Sequence, residues 1–117
     1  MNTSQPHDSA HLHVAGESLY IDDRPLLPNE LHVGLFTSTH AKALIKHIDF
    51  TTALEIPDVV CIITAHDIAH NRWGSIVCEQ PFLAEHQVNY VGEVIALIGA
   101  RTNEAIKNAQ SAIKIQY

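Results

Sequence analysis

The sequence VNYVGEVIALIGA, residues 88–100, joins a continuous apolar run to a Gly-Glu pair at positions 92 and 93. The run Val94–Ala100 predicts a strand that is buried in a sheet. A glycine followed by an acid beside such a strand fits two interpretations, a catalytic turn or a bend at which two backbones approach each other. The segments on either side of this stretch have to decide between them.

The segment downstream of the run has the pattern of an amphipathic helix. Thr102 is a suitable N-cap, because its hydroxyl can accept a hydrogen bond from a free N–H group of the first turn. The following residues, NEAIKNAQSAI, predict a helix with one apolar stripe. The alternating residues IKIQY, 113–117, then predict a last strand. The stripe consists of Ala105, Ile106, Ala109, Ala112 and Ile113.

Three further strands are predicted upstream. LHVGLFTS, residues 31–38, and KALIKHIDF, residues 42–50, alternate in apolar character. VVCIIT, residues 59–64, is β-branched and unbroken, which is typical of a strand buried on both faces.

A short helix is predicted between the second and third of these strands, in TTALEIPD, residues 51–58. Thr52 and Glu55 have the spacing of a capping box, and Pro57 prevents the helix from continuing. The element order β-β-α-β-β-α-β therefore predicts an α+β, or mixed α/β, fold. In this fold a small mixed sheet carries one short and one longer helix.

The N-terminal part has weaker patterns. Residues 1–12 are predicted to be a disordered tail, so that residues 13–117 form a single domain. Gly16, Pro25 and Pro28 interrupt the next segment, which predicts an extended arm with turns rather than a helix.

The composition excludes several classes of function. The 117 residues have a formal net charge of −6, and the seven Lys and Arg residues are scattered singly. Nucleic acid and membrane surfaces are therefore not expected as partners.

Cys61 and Cys78 are too few for a disulfide scaffold and no apolar leader precedes the fold, so we expect a cytoplasmic protein. Cys61 lies within VVCII and is expected to be a small core residue.

The segment HDIAH, residues 66–70, is the nearest approach to a metal site. On a helix, His66 and His70 lie one turn apart, and an acid after the first can activate a zinc-bound water, as in the H-E-x-x-H motif. The acid here is Asp67, one methylene shorter than Glu, and Gly74 follows within a turn. We favour a loop with two solvated histidines over a zinc site.

Three other features each allow two interpretations. His11 and His13 could share one face of a strand and hold a metal with a third ligand, although an incidental surface pair is favoured. The Asp22-Asp23 pair has the composition of a turn, and shared acid–base work would need a pocket. Trp73 lies in a long loop, where it either folds back on the core or docks against a neighbouring domain.

Taken in order, these segments resemble the N-terminal α/β-hammerhead domain of the molybdenum-cofactor-binding subunit of the xanthine dehydrogenase and aldehyde oxidase family. This family commonly has Gln where the sequence has Glu93, and often Gly where it has His70. The resemblance implies that Gly92 is a structural bend and leaves open a contact of Glu93 with a following domain. It extends from about Ala15 to Tyr117 and is carried by GESLYIDDRPLLPNELHVGLFTSTHAKALIKHID, IPDVVCIITAHDI, the N-x-x-G of residues 71–74, PFLAEHQVNYVGEVIALIGA and EAIKNAQSAIKIQY.

The resemblance implies a structural role in a larger enzyme. Such enzymes hydroxylate purines, related heterocycles or aldehydes with molybdopterin, iron–sulfur clusters and FAD. Their reactive groups belong to domains downstream of the hammerhead, so no catalytic, cofactor-binding or metal-ligating residue is expected here, and the chain alone should be inactive. The implied partners are the downstream molybdopterin-binding domains and the iron–sulfur and FAD domains or subunits. Without these neighbours, self-association through uncovered apolar surface is expected.

Two other functions stay open at this point. One is a freestanding zinc-binding hydrolase built on His66, Asp67 and His70. The other is a small protein-interaction module that binds its partner through Trp73.

Overall fold

The computed structural model describes residues 7–117, and the predicted α+β fold class is confirmed. Where the sequence predicted one small mixed sheet, the structure has three small sheets whose strand pairs are all antiparallel. The helices are α1 (Ala10–Ala15), α2 (Thr51–Leu54) and α3 (Asn103–Ala112); the strands are β1 (His32–Thr37), β2 (Ala43–Leu44), β3 (His47–Asp49), β4 (Val59–Thr64), β5 (Gln87–Val88), β6 (Val94–Ala100) and β7 (Lys114–Gln116).

Strand β6 is the centre of a three-stranded sheet with the order β1-β6-β4. Leu97 of this strand lies opposite Leu35 of β1 on one side and Ile63 of β4 on the other. Both edges of β6 are therefore paired, and its backbone polar groups are satisfied inside the protein, as burial requires. The buried strand predicted over Val94–Ala100 is confirmed.

Helix α3 covers one face of this sheet. Its apolar stripe packs against Ile98 and Ala100 of β6 in the main core cluster. The Thr102 hydroxyl accepts a hydrogen bond from the Ala105 N–H at 3.1 Å, so the predicted N-cap is confirmed. Gly34 of β1 lies directly under the helix, where an added Cβ atom would stand 2.1 Å from Cγ2 of Ile106.

The strand predicted over residues 42–50 is wrong, because the segment changes its pairing partner in the middle. The Ile45 N–H donates to the His86 carbonyl, whereas the Lys46 N–H donates to the Gln116 carbonyl. The segment is thus divided into β2, which pairs with β5, and β3, which pairs with β7. These short strands contribute residues that pack around a second apolar cluster, whose buried members are Ala84, Val88 and Ile95.

The capping box predicted in helix α2 is also wrong. The helix begins at Thr51, two residues earlier than a box with Thr52 as its N-cap requires, and its N-cap position is occupied by Phe50. The free N–H of Thr51 is instead satisfied by Oδ1 of Asp49 at 2.9 Å. An acid two residues before the helix has replaced the Thr52 hydroxyl as the partner of the first turn.

Strand β4 is an edge strand and is not buried on both faces as predicted. Only its partner β6 has neighbours on two sides. Val60 and Ile63 are 49% and 38% exposed. An unbroken β-branched run indicates a strong preference for strand structure. It does not indicate how deeply the strand is buried, because burial depends on the position of the strand in the sheet.

The N-terminal segment contains a helix that was not predicted. Helix α1 includes residues 10–12 of the predicted tail, whereas residues 1–6 lie outside the described residues. Gly16 ends the helix in the left-handed conformation, with φ 72°, which a glycine adopts without strain.

No helix within residues 7–117 combines the length and apolarity that crossing a membrane requires.

The molecule is extended for its length. Its Cα radius of gyration is 19.8 Å and its principal extents are 63 × 40 × 25 Å. A compact domain of this size has a radius of gyration of about 13–14 Å. The N-terminal arm, residues 16–31, and the loop of residues 71–82 both carry exposed apolar side chains.

We predict that Gly34→Ala lowers the free energy of unfolding by about 1–3 kcal/mol, because the new methyl group overlaps the Ile106 side chain. Urea denaturation measures the effect. In an Ile106→Ala background the methyl group has room, so the two substitutions should be strongly non-additive. Simple additivity would contradict the close contact between β1 and α3.

Candidate functional site

The Gly92-Glu93 pair lies in a turn that joins β5 and β6 and bonds to the end of β1. The Ser38 N–H donates to the Glu93 carbonyl at 2.9 Å, and the Gly92 N–H donates to the Ser38 carbonyl at 2.8 Å. Gly92 has a φ of 89°, a conformation that favours glycine. These bonds support the interpretation of a bend at which two backbones approach.

The Glu93 side chain folds back into this turn. It is only 6% exposed, and its Oε2 accepts a hydrogen bond from the N–H of Asn89. Its Oε1 accepts a second bond from Nδ2 of Asn89 at 3.4 Å. The carboxylate therefore stabilises its own turn, and this contact accounts for an acid at a buried position.

A small polar cluster next to this turn was not found by sequence reasoning. The Ser38 hydroxyl is buried, donates to the His40 carbonyl at 2.9 Å and accepts from the His40 N–H at 3.0 Å. The Tyr117 hydroxyl lies 3.5 Å from Ser38 Oγ, and the His40 and Tyr117 rings are 4.2 Å apart between centroids. Nothing in a sequence marks contacts between residues almost 80 positions apart.

The HDIAH segment forms a loop, as favoured, and not the helix that a zinc motif needs. A single 3-10 turn spans Ala65–Asp67, and His66 and His70 are both exposed. Oδ2 of Asp67 accepts hydrogen bonds from the Thr64 N–H at 2.7 Å and the Thr64 hydroxyl at 2.8 Å. These bonds hold the pKa of the Asp67 carboxyl below its ordinary value. The zinc-hydrolase alternative needs a helix that places both histidines on one face and an acid that is free to act. The segment has neither, because it forms a loop and its Asp67 carboxylate is bonded to Thr64.

The backbone at His70 does not need a glycine. Among residues 7–117, positive φ angles at residues other than glycine occur at Asn29 and Asp58. His70 is therefore compatible with the conformation of its turn.

The alternative in which His11 and His13 share one face of a strand is wrong, because both residues lie on helix α1. Residues two positions apart point in different directions on a helix, whereas they share a face on a strand. His13 approaches His7 instead, at 6.0 Å between ring centroids, and both rings contact the Ser9 hydroxyl. The part of the chain that the structure describes has no group of three or more side chains placed to hold a metal ion.

The Asp22-Asp23 pair lies in a turn, as favoured. Residues Ile21–Asp23 form a 3-10 turn in the N-terminal arm. Oδ2 of Asp23 accepts a hydrogen bond from the Tyr20 N–H at 2.9 Å.

Trp73 projects from an ordered loop, which we call the Trp73 loop, residues 71–82. Its backbone exchanges hydrogen bonds with Gln80, and its ring is nearly parallel to that of Phe82, at 6.2 Å between centroids. Asn71 fixes the base of the loop through two side-chain bonds to the Leu83 backbone, at 2.8 and 2.9 Å. Trp73 is 49% exposed, and Ile76 at the tip is 95% exposed. The ring thus lies on the surface rather than folding back on the core.

The two cysteines are both free thiols. Cys61 is half-buried and packs beside Gly99, where an added Cβ atom would stand 2.7 Å from its Sγ. Cys78 is exposed in the Trp73 loop.

The chain is similar in sequence to parts of much longer oxidoreductases. A family profile described as "Aldehyde oxidase and xanthine dehydrogenase, a/b hammerhead domain" matches residues 15–117. Xanthine dehydrogenase/oxidase of Rattus norvegicus is 36% identical over 112 residues, which are 96% of this chain and 8% of that protein. Aldehyde oxidase 2 of Mus musculus is 40% identical over 111 residues, which are 95% of this chain and 8% of that protein.

Solved structures give the same result for the fold. Cu,Mo-CO dehydrogenase in its carbon monoxide reduced state superimposes with a TM-score of 0.86 at 25% identity, covering 100% of this chain and 15% of that one. Aldehyde oxidoreductase from Desulfovibrio gigas superimposes with a TM-score of 0.83 at 26% identity, covering 95% of this chain and 14% of that one. The chain therefore spans a small fraction of each protein it resembles.

We predict that Glu93→Ala lowers the free energy of unfolding by about 1–3 kcal/mol, because the backbone N–H of Asn89 loses its carboxylate acceptor in a partly buried turn. Glu93→Gln keeps an acceptor oxygen and should lose less. Urea denaturation of both variants measures the difference, with Glu17→Ala at an exposed position as the control. Equal stability of Glu93→Ala and the control would contradict the assigned role.

A second prediction concerns pH. Because the folded pKa of Asp67 is lowered, its stabilising contribution is present above the unfolded pKa and is lost as the pH falls through the folded pKa. Asp67→Ala should therefore be less stable than the parent sequence at pH 7, and the difference should shrink below about pH 4. Chemical denaturation across this range measures it, with Asp22→Ala as the control. A difference that does not change with pH would refute the assignment.

Proposed function

Because the chain belongs to the aldehyde oxidase and xanthine dehydrogenase family, as its a/b hammerhead domain, we propose that it is a supporting domain of a larger molybdenum-dependent oxidoreductase. In this proposal the chain packs against the molybdopterin-binding domains of the parent enzyme and is inactive alone. The parent is cytoplasmic, which two free cysteines support.

The observation that carries the proposal is the apolar surface that the chain leaves uncovered. Helix α3 covers one face of the central sheet, while Val33 and Leu35 on the other side are 64% and 50% exposed. The tip of the Trp73 loop and residues Leu26 and Leu27 of the N-terminal arm are also exposed. Large apolar patches are rare on natural monomers and mark surfaces that a partner covers. The same surface supports our expectation of self-association in isolation.

In this proposal no residue of this chain holds the cofactor. Within residues 7–117, no buried side-chain nitrogen or oxygen lacks a hydrogen-bond partner, so no buried polar group is left unpaired for a ligand. The one carboxylate that is buried in the described part of the chain, that of Glu93, is engaged by Asn89. We therefore propose that other domains of the parent bind molybdopterin, and that iron–sulfur clusters and FAD lie on partner domains or subunits.

The proposed parent reaction is the hydroxylation of a purine, a related heterocycle or an aldehyde. The similarity to xanthine dehydrogenases and aldehyde oxidases supports this class of substrate. The contribution of this chain is mechanical, since it gives the cofactor-bearing domains a rigid surface to pack against.

The exposed Trp73 loop favours one alternative, a protein-interaction module that binds an unrelated partner. Its rigid base, fixed by Asn71, suits a docking element. The two proposals differ in what the loop contacts, a domain of the same enzyme or a separate protein.

The experiment is to isolate the native protein with an antibody raised against these 117 residues. We predict a polypeptide or complex much heavier than 12.9 kDa that contains stoichiometric molybdenum, whereas the isolated chain contains none and hydroxylates no substrate. Metal analysis and mass spectrometry measure both. A native protein of 12.9 kDa without a molybdenum-containing partner would overturn the proposal.

A matched pair of substitutions tests the packing directly. In the isolated chain Val33→Lys and Val14→Lys should both change stability by less than about 0.5 kcal/mol, because both positions are exposed. In the parent, Val33→Lys would bury an unpaired charge and should cost about 3 kcal/mol, whereas Val14→Lys lies outside the sheet. Equal effects of the two substitutions in the parent would contradict docking on the sheet.

A further inference from the structure

Two imidazole nitrogens converge on one hydroxyl group beside helix α1. Nδ1 of His7 lies 3.0 Å from Oγ of Ser9, and Nε2 of His13 lies 3.3 Å from the same oxygen. Ser9 and His13 are four positions apart, a spacing that brings side chains together along a helix. The two rings are 6.0 Å apart between centroids and both histidines are exposed, so the group is open to solvent.

The backbone determines which nitrogen of the His7 ring carries a lone pair. The Ser9 N–H donates a hydrogen bond to Nδ1 of His7 at 3.3 Å. Because an N–H group can only donate, Nδ1 must be the acceptor, and the proton of the neutral His7 ring is on Nε2. The nitrogen that faces Ser9 is therefore a free base.

The segment after helix α1 favours a corresponding lone pair on His13. Gly16 ends the helix in the left-handed conformation, and the hydroxyls of Ser18 and Tyr20 lie 2.8 and 3.4 Å from Nδ1 of His13. When Nδ1 donates its proton to these oxygens, Nε2 keeps the lone pair that faces Ser9. Histidines that bind metals are oriented in the same way, by a hydrogen bond from the nitrogen that does not bind.

Two lone pairs therefore meet a hydroxyl that has a single proton. Ser9 can donate this proton to one ring at a time, so the lone pair of the other ring has no proton from this hydroxyl. A divalent cation accepts both lone pairs at once. With metal–nitrogen distances of about 2.0–2.1 Å, two imidazoles on one ion have centres up to about 6.4 Å apart, and the observed 6.0 Å lies within this limit.

The charges near the two rings also favour a cation. Residues 7–23 contain four acids and neither Lys nor Arg. Imidazole nitrogen suits Zn²⁺ and other first-row divalent ions, whereas Mg²⁺ prefers oxygen ligands. The four acids are Asp8, Glu17, Asp22 and Asp23.

We infer that His7 and His13 hold a divalent ion of the zinc type, His7 through Nδ1 and His13 through Nε2. The Ser9 hydroxyl turns aside to admit the ion, and water completes its coordination. Two protein ligands are fewer than the three of a catalytic zinc site, so the ion fastens the segment before α1 to the helix and carries no reaction. The inference is independent of the proposed function and does not concern the molybdenum of the parent enzyme.

The test is a titration of the ¹⁵N-labelled chain with zinc chloride, followed by NMR. We expect one-to-one binding with shifts centred on residues 7–20, reversed by EDTA. Long-range spectra that connect the ring nitrogens to the ring protons identify the binding atoms, which should be Nδ1 of His7 and Nε2 of His13. Magnesium chloride at the same concentration should cause no shift of these rings.

Variants test the two ligands. His7→Gln and His13→Gln should each weaken zinc binding about tenfold or more, because the remaining imidazole no longer has a second ligand linked to it. His11→Gln is the matched control and should leave the affinity unchanged. His11 is exposed on the same helix, but residues two positions apart do not share a face.

Four results would overturn the inference. These are no saturable binding of zinc, an equal response to magnesium, binding through the other ring nitrogens, or a loss in His11→Gln as large as that in His7→Gln. Circular dichroism of each variant shows whether it keeps the fold, so that a loss of affinity is assigned to the missing ligand.

Discussion

The burial of strand β6 is the constraint on which the rest of the structure depends. The strand is paired on both edges, and its side chains join the two apolar clusters, with Ile98 and Ala100 in one and Ile95 in the other. Small residues let neighbours approach it closely, as Gly99 does for Cys61. The turn before the strand is tied to the end of β1 by the backbone of Glu93. One strand therefore holds β1, β4 and α3 together and joins the two apolar clusters.

The core built on this strand is one-sided, and this explains the proposed role. Helix α3 covers one face of the sheet, while Val33 and Leu35 stay exposed and the Trp73 loop projects from the body. Such a domain has a well-packed interior but leaves apolar side chains exposed on its surface. The matched residues make up 8% of two of its relatives, and we propose that neighbouring domains cover its exposed apolar surface. In our proposal the chain contributes rigidity, and the chemistry takes place in the domains that cover it.

Local patterns in the sequence predicted the elements whose stability is local. The apolar run of β6, the Thr102 cap and the stripe of α3 were correct because propensity, periodicity and burial agree there. The errors have tertiary causes. Residues 42–50 exchange one pairing partner for another, and β4 occupies an edge. Contacts between distant positions, such as Ser38 with Tyr117, leave no local signal. HDIAH forms the loop that was favoured, because the helix that a zinc motif needs does not form there.

The central claim is that the exposed apolar surface of this chain is covered in a larger enzyme. Hydroxyl-radical footprinting of the isolated chain and of the intact parent measures this directly. Our account predicts that Val33, Leu35 and Ile76 are labelled strongly in isolation and protected in the parent, while buried Ile98 is protected in both. Equal labelling of the three exposed residues in the two samples would contradict it.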